Sequence, residues 1–281
     1  MKKFRWVLVA LFIVVGGGVL FLPRLIIGRG EANAQATQSA LNFRLTEEFC
    51  IAPLPVLNPE RIAHGKQVYQ RECLECHGEN LQGQPGWRER LKDGSKPPPP
   101  LDNTGNVTHR SDASLLTILN YGLNYGKQSA MPGYQDILTD DEQMAVYEYM
   151  KSFWDADFFS HQHSLSASVR LGWVEPAAQG EDANLYLILD NPASYDTRLI
   201  GARSEMAEKV EIVDVAGKVL EDVDLPYLTL EINLLPGETH LVMRNLKQTL
   251  EVGDRFWLRV RFTGVGEVMT EIKVIENSST Q

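Results

Sequence analysis

The sequence predicts a multi-domain chain: an N-terminal transmembrane or signal helix, then an all-α domain, then an all-β sandwich. Three observations predict it. Residues 6–22 form an uncharged apolar run behind the basic Lys2, Lys3 and Arg5. Helix caps and stops punctuate residues 58–154. From residue 168 onward the apolar positions alternate with a period of two. With 281 residues, 43% of them hydrophobic and 23% charged, the chain has globular composition and length for about two domains.

Residues 1–30 read as a signal peptide or a membrane anchor. Pro23 and Arg24 close the apolar run, and Ala32-Asn33-Ala34 and Ala34-Gln35-Ala36 resemble small-residue cleavage sites. The leader carries +5 before the first acid, Glu31, so the remaining chain carries −15 of the net −10. That balance argues against a nucleic-acid partner. Residues 31–55 are a polar linker.

The α domain is expected over residues 56–156. Asn58-Pro59 combines an N-cap residue with proline at the first helical position, opening a helix to about Glu72. Lys96 and the four prolines 97–100 must be an extended loop. A short helix follows over 111–119, with Gly122 just past its end. Thr139-Asp140-Asp141-Glu142 is a capping box that starts a helix running to Trp154. Residues 157–167 read as a second linker. His161 and His163 share one side of an extended chain there, a pairing better explained as a solvated linker than as a copper or zinc site.

In the sandwich, predicted over 168–276, Leu185, Leu187 and Leu189 make one strand face. Phe256, Leu258, Val260 and Phe262 oppose Trp257, Arg259 and Arg261 on the next, and Val268, Thr270, Ile272 and Val274 repeat the pattern. Asn191-Pro192 and Pro236-Gly237 mark turns.

Cys73-Leu74-Glu75-Cys76-His77 is the attachment signature of c-type haem. Two thiols one helical turn apart can each form a thioether to a porphyrin vinyl group, and the adjacent histidine then rises under the iron. A zinc site would need a second Cys/His pair, and a thioredoxin-like pair would follow a strand rather than end a helix. His109, Met131, Met144 and Met150 are the candidates for a sixth ligand. Met131 lies in the loop Ser129-Ala130-Met131-Pro132-Gly133-Tyr134 ahead of the last helix and is preferred, because Met144 and Met150 fall on a helix as core residues. Cys50 is left over as an orphan thiol.

Residues 58–154 resemble class I cytochromes c through Gly65, Tyr69, residues 73–77, the proline-rich loop to Leu101, Met131-Pro132 and Tyr149. The resemblance implies one covalent haem c, with Cys73 and Cys76 as attachment points and His77 and Met131 as axial ligands. It also implies a close crossing of first and last helices at Gly65. One of the carbonyls of residues 97–100 would orient His77.

Residues 168–275 resemble the periplasmic PCu(A)C copper chaperones, which are cupredoxin-like β-sandwiches. Trp173-Val174, Pro176, Tyr186, Asn191, Val210-Glu211, His240-Leu241 and Gly253-Asp254 carry the likeness. That family binds Cu(I) through a His or Met, a second Met and a closing His-x-Met pair. Here Val213, Val219 or Leu220, and Val242 stand where ligands are expected, leaving His240 as a residual copper ligand. Met243 falls on the opposite strand face from His240.

The expected function is that of an exported monohaem electron carrier rather than an enzyme. It would exchange electrons with redox proteins of a respiratory chain, at the periplasmic or extracytoplasmic face, tethered through the N-terminal segment. The rival readings are a copper-handling protein that delivers or reduces copper for a respiratory oxidase, and an enzymatic or sensing haem in which Met131 is not coordinated.

Overall fold

The computed structural model describes residues 10–15, 18–23, 54–92, 94–123 and 131–276. The chain divides into two units, residues 1–48 and 49–281. In the first, β1 (Ala10–Val15) and β2 (Gly18–Pro23) pair antiparallel, with Val15 opposite Gly18. This corrects the expected transmembrane or signal helix over these positions: Ile13, Val14, Val15 and Val19 are β-branched, and the glycines at 16–18 disfavour helix. Among the described residues no helix is long and apolar enough to cross a membrane. The cleavage-site patterns and Cys50 lie outside the described residues.

The second unit begins with helices. α1 (Pro59–Glu72) is capped by Asn58, whose Oδ1 accepts from the backbone N–H groups of Glu60 and Arg61. α2 (Leu74–His77) is a single turn ended by Gly78 at φ 79°. α3 (Asp112–Tyr121) is capped by Ser111 and stopped by Gly122. α4 (Asp140–Lys151) opens with the complete capping box of Thr139 and Glu142. α1 and α4 cross at Gly65, where a Cβ would lie 1.9 Å from the carbonyl oxygen of Ala145. Tyr69 and Tyr149 pack beside that crossing with ring centroids 5.3 Å apart.

The expected linker after Trp154 is instead helical: α5 spans Ala156–His163, capped by the Asp155 carboxylate. A helix turns successive residues by about 100°, so His161 and His163 do not share a side; His161 is exposed and His163 is buried. Phe159 packs on Trp154, and Gln162 donates to the Arg110 carbonyl at 3.0 Å and to Asp112 at 2.5 Å.

The strands are β3 (Ser168–Val174), β4 (Ala183–Asn191), β5 (Thr197–Arg203), β6 (Ala207–Val213), β7 (Val219–Leu220), β8 (Val223–Leu225), β9 (Thr229–Leu234), β10 (His240–Leu246), β11 (Arg255–Phe262) and β12 (Gly266–Val274). Their order is β7-β6-β10-β4-β3-β12-β11-β5-β8, and β9 adds to β4. One further pairing, Ala202 with Val210, joins β5 to β6 and closes the sheet into a barrel rather than an open sandwich. β3 and β12 run parallel, whereas the other paired strands are antiparallel. Leu185, Leu187, Leu189, Leu258 and Val260 are fully buried in its core, as their alternation requires.

The outward face of β11 and β12 packs on the helices. Trp257 and Met269 join the apolar cluster built on α1, α3 and α4, while Ala113 of α3 joins the barrel cluster. Arg61 bridges Glu148 of α4 at 2.5 Å and Glu271 of β12 at 2.8 Å, with its guanidinium 4.8 Å from the Trp257 ring centre. Arg259, buried, pairs with Asp140 and donates to Gln143 at 3.3 Å.

Candidate functional site

Cys73, Cys76, His77 and Met131 line one cavity of about 390 Å³. Its walls are mainly apolar, from Leu115, Ile118 and Leu119 of α3, Val146 and Met150 of α4, and the prolines 97–99. Arg90, Lys96 and Arg110 stand among its lining residues and supply cationic groups. Met150 therefore both packs in the helical core and faces the cavity; Met144 is a core residue, and His109 is exposed outside the lining.

The geometry around His77 follows from a chain of close backbone contacts. Gly83, at φ 65°, lets the segment after the motif run against the proline loop, since a Cβ there would meet Pro99 carbon at 2.5 Å. Gln84 N–H takes the Pro98 carbonyl and Leu101 N–H takes that of Leu81. The Pro99 carbonyl is thereby turned to His77 Nδ1, 2.9 Å away. A carbonyl only accepts, so Nδ1 carries the proton and Nε2 keeps its lone pair. Burial holds the His77 pKa below the ordinary imidazole value, although the Pro99 hydrogen bond opposes the shift. The ring is thus a neutral donor ligand with a fixed tautomer.

Burial, reinforced by the Glu72 carboxylate and the Cys76 thiol, pushes the Cys73 thiol up to about 12. Such a group is not a low-pKa redox thiolate, which weighs against the thioredoxin-like reading. Cys76 is exposed at the cavity mouth. Two phenols bracket the motif: Tyr69 donates to the Gly78 carbonyl at 2.6 Å, and Tyr134 to that of Glu72 at 2.9 Å. Nothing in the sequence signals these two bonds, because neither hydroxyl's target is local to a pattern.

His240 lies far from this set in sequence and is not among the cavity residues. It begins β10, directly opposite Val213 of β6, whose other neighbour is Val219. Register runs unbroken from His240 to Arg244, so no bulge brings Met243 round; it is fully buried in the barrel core. The imidazole instead faces Tyr186 at 5.7 Å and approaches the Glu238 carbonyl through Nδ1 at 2.9 Å. Among the described residues no group of three or more His, Cys, Asp or Glu is placed to hold a metal ion.

Comparison with known proteins divides the chain at the same place. Residues 60–150 match the family model described as cytochrome C oxidase, cbb3-type, subunit III. Residues 167–274 match that of the putative lipoprotein LpqE-like family. Among solved structures, the apo PCuAC domain from PmoF1 is 25% identical, covering 40% of this chain and 95% of that one, with a TM-score of 0.37. The copper-bound PCuAC domain from PmoF2 gives 25%, 40%, 94% and 0.37. Cytochrome cL from the marine methylotrophic bacterium Methylophaga aminisulfidivorans gives 24%, 52%, 83% and 0.28. No curated protein matches. The chain thus joins a helical domain that matches a cytochrome c family model to a C-terminal β-barrel domain that matches the LpqE-like model.

Proposed function

We propose that this chain is an exported monohaem c-type cytochrome that carries single electrons between respiratory redox proteins, with the barrel as an accessory domain. The observation that carries the reading is the convergence of Cys73, Cys76, His77 and Met131 on one apolar cavity. The donor set fits haem c: two thiols one helical turn apart, a neutral imidazole with its Nδ1 proton engaged, and a thioether. The basic, apolar leader supports export.

In this reading Cys73 and Cys76 would hold the macrocycle through thioethers. His77, its ring fixed by the Pro99 carbonyl, and Met131 would hold the iron. Bound haem supplies the one-electron Fe(III)/Fe(II) couple. The apolar walls would keep water from a bound haem and favour its less charged reduced state, as thioether ligation by Met131 would. Arg90, Lys96 and Arg110 provide positive charge for carboxylates at the rim. Transient redox partners use small interfaces, for which one exposed haem edge would suffice.

A metal and haem inventory of the purified exported protein tests this reading. One covalent haem and one iron per chain, low-spin and without copper, is the expected result. Stoichiometric copper, or a high-spin iron that binds added ligands freely, would overturn it in favour of metal handling or of a reactive haem.

A further inference from the structure

We infer that Tyr134 is a positioning residue that ties the Met131 loop to the haem-attachment turn. The inference rests on the electron-carrier reading above and goes beyond it. The loop is anchored on one side to the end of α3: Leu123 N–H donates to the Met131 carbonyl at 3.2 Å, Tyr134 N–H to that of Leu119 at 2.8 Å, and Gln135 N–H to that of Asn120 at 3.1 Å. The approach is too close for side chains. A Cβ on Gly122 would meet the Met131 oxygen at 2.4 Å, and one on Gly133 would meet the Asn120 oxygen at 2.5 Å.

These bonds fix the loop to one helix only. The Tyr134 side chain lines the cavity and donates its hydroxyl, at 2.9 Å, to the carbonyl of Glu72, the residue immediately before Cys73. It therefore joins the segment that offers the sixth ligand to the segment that holds the two thioethers and the proximal imidazole. Burial is the main reason its phenol is pushed up to about 12, so it stays a donor across working pH. Tyr69 provides an internal contrast, because its hydroxyl reaches Gly78 on the far side of the same turn and it lies on α1.

Loss of one partly buried hydrogen bond should loosen Met131 rather than unfold the domain. In the full-length holoprotein, Tyr134→Phe should raise the affinity of the ferric iron for imidazole about five- to tenfold. It should also shift the loss of the sulfur-to-iron charge-transfer band to lower pH and lower the midpoint potential, with haem content and far-ultraviolet dichroism unchanged. Tyr69→Phe should leave imidazole affinity within about twofold of wild type, since its bond does not touch the loop. Gly133→Ala attacks the other anchorage and should move affinity in the same direction as Tyr134→Phe.

Imidazole affinity, band and potential unchanged in Tyr134→Phe, in a wild type that shows the band, would overturn the inference and leave the cytochrome reading intact. Equal effects of Tyr69→Phe and Tyr134→Phe would overturn it too, by showing that the turn alone is being sensed. A wild type without the band refutes Met131 ligation itself.

Discussion

Asp112 offers the sharpest test of how the helical domain is held together. Its carboxylate accepts from Tyr147 OH at 2.6 Å, from Gln162 Nε2 at 2.5 Å, and from Lys151 Nζ at 3.0 Å on both oxygens. Lys151 keeps only 3% of its side chain exposed, with Nζ 4.7 Å from the Tyr147 ring centre and 4.8 Å from that of Phe159. Asp112→Asn removes the counter-charge and turns an amide NH₂ toward neighbours that are themselves donors. Breaking a buried pair this way costs about 3–5 kcal/mol. The ring contacts still favour the cation, so about 3 kcal/mol is the expected loss at pH 7. Burial raises the Asp112 pKa, but Lys151, His163 and the hydrogen bonds from Tyr147 and Gln162 outweigh it and hold the group below its ordinary 3.8. A depressed native pKa contributes its stability in full above the unfolded value and loses it as pH falls through the native one. Urea unfolding of wild type and Asp112→Asn should therefore differ by about 3 kcal/mol at pH 7, with the gap closing below pH 3.8. A gap under about 1 kcal/mol at pH 7, or one that persists unchanged into acid, refutes the reasoning.

Three further outcomes follow from the packing. Gly65→Ala places a methyl 1.9 Å from the Ala145 oxygen, so α1 and α4 must part; a net loss of about 1–2 kcal/mol is expected in thermal melts, after the helix-propensity gain of alanine. Arg259→Ala strips Asp140 and Gln143 of their partner across the barrel–helix contact; it should cost about 2–4 kcal/mol and separate the loss of the Soret signal from that of the β signal during unfolding. His240→Ala should leave the copper content of the purified protein unchanged, because its strand neighbour Val213 offers no donor; metal analysis of the two proteins decides it.

The helical domain was legible wherever a local rule operates. Asn58, Ser111 and Thr139 announce helix starts because capping is a contact within four residues. The prolines could be recognised as a group holding a carbonyl for His77. Only the approach of Gly83 to Pro99 selects which one, and that is a matter of two segments meeting. α5 escaped because residues 155–163 carry no long apolar stripe, although Asp155 is a sound N-cap. The alternation of β11 correctly separated two faces, yet periodicity does not say what covers the second. Trp257 and Arg259, read only as the face opposite the core residues, meet the helical domain. Barrel closure rests on the single pair Ala202–Val210, for which no short-range signal exists.

That second face bears on what the barrel does in this chain. Its His240 edge presents one imidazole to two valines, a poor donor set for a soft cation. Its β11–β12 face commits two arginine-centred ion pairs, an aromatic ring and Met269 to the helical domain. Arg61 is the hinge of that commitment, because one guanidinium holds Glu148 inside the helical domain and Glu271 on the barrel at once. Glu148 also accepts from the N–H of Asn58, the residue that caps α1. α1 leads directly into the turn that carries Cys73 and Cys76, so the barrel buttresses the helix that feeds that turn. In the proposed electron-carrier reading, such a rigid surround would reduce the rearrangement that accompanies each change of iron charge. The physical case for the barrel is therefore strongest as a brace for the helical domain, on the face where its residues are buried, and weakest at the end where a copper site would stand.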